Sequence, residues 1–172
     1  MKKLLVALTI FITILSLNKE DKIIIPKEAI RFRVIASSNT ENDQYIKRQV
    51  VKDLNTEIKN LSFKNNTLET TRTNIKESIP KVKTIVNNTL NRLNANNKFF
   101  VKYGMNYFPQ KEYQGIVYEA GEYESLVITL GDGKGENFWC VLFPPLCLLD
   151  TKEKPENIEY KSFVKEIIDK YL

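Results

Sequence analysis

The chain has 172 residues, enough for one domain with its own apolar core and no need of metals or several disulfides to hold it. Its 26 basic and 21 acidic side chains leave a formal charge of +5, but the basic residues are scattered, with no arginine-rich or aromatic-interleaved stripe, so nucleic acid is not an expected partner. Histidine is absent, which removes the usual general base, the residue that activates serine and cysteine nucleophiles, and most zinc and haem ligand sets.

The first segment, MKKLLVALTIFITILSLNKED, sets Lys2 and Lys3 before an uncharged run from Leu4 to Leu17 and a polar break at Asn18, the shape of a secretory signal. As a helix that run rises roughly 21 Å, short of the roughly 30 Å hydrocarbon core. A comfortable membrane span is therefore not expected. No small-x-small cleavage site stands out near Ser16, so a cleaved signal peptide over 1–18 and an uncleaved N-terminal anchor both stay open, with a buried first element of the fold as the structural alternative. Residues 19–29 read as a linker and 30–172 as a single α+β domain.

IRFRVIASS alternates Phe32, Val34 and Ala36 with Arg31 and Arg33, as a half-buried strand with a solvated arginine face does. Ser38 stands three residues before Glu41, a capping-box spacing, and Ile46, Val50, Leu54 and Ile58 then recur every fourth residue, which predicts an amphipathic helix. Asp43, Gln44, Lys47 and Arg48 fall outside that stripe and read as solvated. From Leu68 a second helical pattern carries Ile75, Ile79, Val82, Val86, Leu90 and Leu93; Pro80 either kinks it or starts a new helix. NANNK closes the helical half.

After Lys98 the period changes to that of strands. Phe99, Val101 and Tyr103 form one strand face and Leu126, Ile128 and Leu130 another, with Gly, Pro and Asn between, which predicts antiparallel strands and turns. Both faces of NFWCVLF are apolar, so this strand is expected to be central or covered on both sides, and Pro144 and Pro145 end it. The tail places Phe163, Ile167 and Ile168 at near-helical spacing. The predicted fold is thus α+β: one strand, two long helices, an antiparallel sheet of about four strands, and a C-terminal helix.

Three features test for chemistry. Gly131, Gly133 and Gly135 suggest a phosphate loop, but they lie between two strand-like runs rather than before a helix, so a hairpin connection is the expected role. Glu122 and Glu124 share a strand face with Leu126 and Ile128, and partial burial of Glu124 would raise its pKa toward that of an acid catalyst; a carboxylate bonded to turn amides is the structural alternative. Outside the cytoplasm Cys140 and Cys147 are a candidate disulfide, stabilising by roughly 2.5 kcal/mol on the chain-entropy model, and two free buried cysteines are the other reading. No metal site or cofactor is expected.

RFRVIASSNTENDQYIKRQV, then YFP, then AGEYESLVITLGDGKGENFWCVLFPPLC, in this order behind an export signal, resembles the stage II sporulation protein R family of endospore-forming bacteria. The resemblance runs from about Ile30 to Asp150; over 60–97 it is a helical pattern only, and Phe138 stands where the family usually has a second tryptophan. It implies a signalling protein rather than an enzyme, secreted from the forespore into the space between forespore and mother cell. There it would activate a membrane-embedded aspartic protease, the sigma factor E processing peptidase, which cleaves the sigma factor precursor. No small-molecule substrate is implied, and membrane contact would come only through the N-terminal segment or the partner. Asp43, Gln44 and Lys47 match the family motif and become candidate partner contacts, beside helix-cap or turn roles. Tyr123, Glu124 and the loop from Gly131 to Asn137 are further candidates, and Trp139 is an aromatic anchor or part of the core. The rival reading is a cell-envelope hydrolase with Glu124 or Glu122 as acid; a passive envelope protein is a third.

Overall fold

The computed structural model describes residues 23–63, 67–95, 98–113, 116–146 and 165–171. The expected signal segment, Phe163 and Cys147 lie outside them. In chain order the elements are β1 (Ile23–Ile24), β2 (Ile30–Ile35), α1 (Glu41–Phe63), α2 (Leu68–Arg92), β3 (Phe99–Phe108), β4 (Lys111–Tyr113), β5 (Ile116–Tyr118), β6 (Gly121–Leu130), β7 (Asn137–Phe143) and α3 (165–171).

The α1 stripe of Ile46, Val50, Leu54 and Ile58, extended by Leu61, is buried as its spacing predicts. It packs with Ile75, Val82, Val86 and Leu90 of α2 onto one face of the main sheet, which contributes Phe32, Val34, Leu126, Ile128, Leu130 and Leu142. Pro80 lies inside a continuous α2 on an exposed position, so the chain there is one helix. Thr67 caps α2, its hydroxyl accepting the Thr70 N–H at 3.2 Å. Across the helix pair, Asp53 accepts from Thr89 Oγ1 at 2.7 Å and from Arg92, and Lys81 pairs with Glu57.

The main sheet has the order β3-β6-β2-β7. It is mixed rather than antiparallel: β2 runs parallel to β6, with Phe32 opposite Leu126 and Val34 opposite Ile128, and antiparallel to β7. The strand read as standing before the helices therefore lies inside the sheet. Alternation reveals which side chains share a face but not the direction of the neighbouring strand, so the sequence left this undetermined. β7 is an edge strand covered on both faces. Its Cys140 and Leu142 face the helices, and Val141 faces a second cluster with Ile25, Ala29, Ile116 and Leu146, against which Ile167 and Ile168 of α3 pack.

That second cluster lies under a smaller sheet of order β1-β5-β4, with β1 parallel to β5. Ile25 and Ala29 are buried in it, so the folded body reaches into the stretch read as a linker. Helices cover one face of the main sheet and the small sheet covers part of the other.

Candidate functional site

The predicted site residues fall into two places. Asp43, Gln44, Lys47, Gly131, Gly133, Gly135 and Asn137 meet where β2 turns into α1 and β6 turns into β7. Tyr123 and Glu124 lie at the far end of β6.

At the first place, α1 begins at Glu41, and its cap is Thr40, two residues later than the spacing of Ser38 and Glu41 suggests. Thr40 Oγ1 accepts the Asp43 N–H at 3.3 Å. Ser38 instead donates to Asp43 Oδ2 at 2.6 Å, so the two conspicuous polar residues hold each other. Gln44 donates through Nε2 to the Ser38 carbonyl at 2.9 Å.

Lys47 is buried rather than solvated. Its ammonium donates to Gln44 Oε1 at 2.6 Å and to the Glu136 carbonyl at 2.9 Å. Burial pushes its pKa down, partly offset by the Glu136 charge. The Glu136 N–H in turn donates to Asn39 Oδ1 at 2.7 Å, and the Lys134 and Gly135 N–H groups donate to the carbonyls of Ser37 and Ala36 at 3.0 and 2.9 Å. The loop from Gly131 to Glu136 is thus bound through its backbone to the segment that starts α1.

The glycines explain how the two backbones come so close. Gly131 and Gly133 have φ of +53° and +64°, the left-handed values a tight connection uses. Gly135 needs its missing side chain for space: a Cβ there would lie 2.6 Å from the Ser38 carbonyl carbon and nearer still to its oxygen. The Gly-rich string precedes no helix, but it is not the expected hairpin either: β2 lies between β6 and β7, so the loop crosses the end of β2 and docks on the residues that follow it. Around it the surface offers exposed Asn39, Glu41, Asn42 and Tyr45, with Asp132, Lys134 and Glu136 on the loop. Tyr45 and Asn39 were not singled out from sequence, since nothing in a helical stripe or its lead-in marks which outward residue will sit beside a distant loop, whereas Glu136 lies in the loop already named as a candidate.

At the second place the expectation for Glu124 is reversed. Burial opposes ionisation of the carboxyl, but hydrogen bonds from Arg72 and Tyr103 and the Arg72 charge outweigh it and hold the pKa below the ordinary glutamate value. Arg72 Nη2 is 2.9 Å from Glu124 Oε2, and Tyr103 OH donates to Oε1 at 2.5 Å. Burial and the carboxylate push the Tyr103 phenol up. An acid catalyst has to keep its proton near working pH, and Glu124 is held in the opposite state. Because its folded pKa is depressed, its stabilisation is complete above the unfolded value of about 4.3 and is lost as pH falls through the folded value. Arg72→Met should lower Tm at neutral pH and flatten its decline through the carboxylate range, read by thermal denaturation across acid pH.

Tyr123 is buried rather than surface-facing. Its ring lies under the Arg31 guanidinium, 3.3 Å from ring centroid to Cζ, with Phe108 and Tyr118 further out at 5.3 and 5.8 Å. Arg31 is 1% exposed, so the face read as solvated carries a cation buried among aromatic rings. Arg33 follows it, its Cζ 4.6 Å from the Phe108 centroid and 5.9 Å from that of Trp139. Trp139 is half-buried on this face, at 5.1 Å from Phe108. Cys140 is not a free thiol. Among the described residues no group of three or more His, Cys, Asp or Glu is placed to hold a metal, and no helix is long and apolar enough to cross a membrane.

The model of a family described as stage II sporulation protein R (spore_II_R) matches residues 26–153. The stage II sporulation protein R of Bacillus subtilis (strain 168) is 37% identical over 158 residues, which covers 88% of this chain and 70% of that protein. No solved structure matches the chain.

Proposed function

The chain belongs to the stage II sporulation protein R family, which gives it a role in sporulation signalling, and we propose that it acts as a secreted ligand that switches on a membrane-embedded aspartic protease of the mother cell. That protease then cleaves the precursor of sigma factor E. The single observation that carries this reading is the family match, which spans all three motif stretches. The geometry supports it in a further way: Asn39, Gln44, Lys47 and Gly135 are used to lock two segments into one rigid end of the molecule, and Glu124 is held ionised by Arg72 and Tyr103. A rigid, polar end with an exposed tyrosine suits a partner contact. The space between forespore and mother cell is outside the cytoplasm, which fits pairing of Cys140 with Cys147.

A ligand shifts its receptor only by binding the active arrangement more tightly. The test is precursor cleavage in a non-sporulating host that makes the protease and the precursor, with this protein supplied either exported or lacking residues 2–17. Cleavage with the exported form alone is the expected result. Cleavage with neither, given folded protein and a competent protease, would overturn direct activation.

A further inference from the structure

Among the described residues the main sheet ends at β3, ten residues from Phe99 to Phe108, which pairs with β6 on one side and with no described strand on the other. A free edge of that length presents alternate N–H and C=O groups to whatever strand approaches. Its side chains are apolar on both faces: Phe100 is 64% exposed, Met105 58% and Tyr107 59%. Beside Phe100, a groove of about 430 Å³ opens between the end of α2 and the strand, with Leu90, Ala95 and Phe99 in its wall.

Charge selects the occupant. Lys98 and Lys102 flank Phe100, both are exposed, and neither has an ion pair among the described residues. A lysine in the middle of an edge strand disfavours pairing with a second copy, which would bring the same charge close to itself, and it attracts a strand of opposite sign. Lys102 and Phe100 share the face away from the helices, whereas Met105 and Tyr107 share the helix side.

We propose that the free edge of β3 is a docking site for an extended segment of a partner protein that alternates apolar residues, laid against Met105 and Tyr107, with acidic residues, laid against Lys102. Backbone pairing gives the affinity, and the lysines together with the groove by Phe100 give the sign and register. The inference rests on the edge and its charges and does not depend on the signalling reading.

The test uses isotope-labelled full-length protein and a blocked peptide of about nine residues, long enough to pair along β3, alternating valine and glutamate. Its counterpart carries lysine for glutamate. The glutamate peptide is expected to slow exchange of alternate amides in β3 while the lysine peptide does not, and Lys102→Glu should weaken the glutamate peptide about tenfold. Three results would overturn the proposal: β3 amides that do not respond, equal responses to both peptides, or protection that grows with protein concentration alone and so assigns the edge to a second copy. No protease takes part, so such a failure leaves the signalling reading untouched.

Discussion

Gly135→Ala is expected to destabilise the protein by about 3 kcal/mol, the upper end of what overpacking costs, and to lower Tm by roughly 10 °C for a domain of this size. The added methyl would have to occupy the space of the Ser38 carbonyl, which is backbone and has no rotamer to yield. Relief therefore means separating the loop from the start of α1. Separation breaks the Gly135 N–H bond to Ala36 and the Lys134 N–H bond to Ser37, and it withdraws the Glu136 carbonyl from the Lys47 ammonium, leaving a buried cation with one acceptor fewer. Lys134→Ala, two atoms of backbone away in the same loop, removes only a solvent-exposed pairing with Asp132 and should shift stability by less than about 0.5 kcal/mol. If the docked end of the molecule is what the receptor meets, Gly135→Ala also lowers precursor cleavage below what its remaining folded fraction accounts for. An alanine variant as stable as the parent in urea and thermal unfolding would mean that the loop has room the described backbone does not give it.

The elements that repeat over many residues were legible before the fold was known. The stripe from Ile46 to Ile58 predicted α1 and its buried face, and the alternation in SLVITL and NFWCVLF predicted β6 and β7, because each pattern is enforced by a single large burial surface. Contacts between distant segments were not legible. Nothing local distinguishes Lys47, held by a carbonyl 89 positions away, from Arg48 beside it in solvent. The same holds for Glu124, whose local setting among apolar residues suggested a raised pKa, while its partner Arg72 came from another helix and reversed the sign. The cap shifted from Ser38 to Thr40 for a related reason: Ser38 is drawn off to Asp43, and its carbonyl serves Gln44. That the glycines join two strands rather than cradle a phosphate was readable from what flanks them, but the hairpin was not, because β2 enters from a distant part of the chain and separates β6 from β7.

Arg31 tests what holds the two sheets together. It lies on β2, and the rings around it come from β3, β5 and β6, while Nη1 reaches the Glu119 carbonyl at 3.4 Å and Nε and Nη2 have no hydrogen-bond partner among the described residues. Burial lowers its pKa, with the neighbouring tyrosines working in the opposite direction. A guanidinium tolerates this because it is planar, weakly hydrated and stacks on aromatic faces, whereas an ammonium is a strongly hydrated point charge. Arg31→Lys, conservative in charge, should therefore cost about 3 kcal/mol or more, as an uncompensated buried cation does. Arg31→Met keeps an unbranched stem against Tyr123 and removes the charge, so it should cost less than about 1.5 kcal/mol. Urea unfolding of the two variants decides the matter. Lysine more stable than methionine would show that charge, rather than stacking, retains an arginine there. The predicted order also bears on Tyr123, a candidate partner contact whose ring lies against Arg31: Tyr123→Phe keeps the stack and should keep both stability and signalling, whereas Tyr123→Ala removes the surface on which Arg31 rests and would lower signalling through the fold.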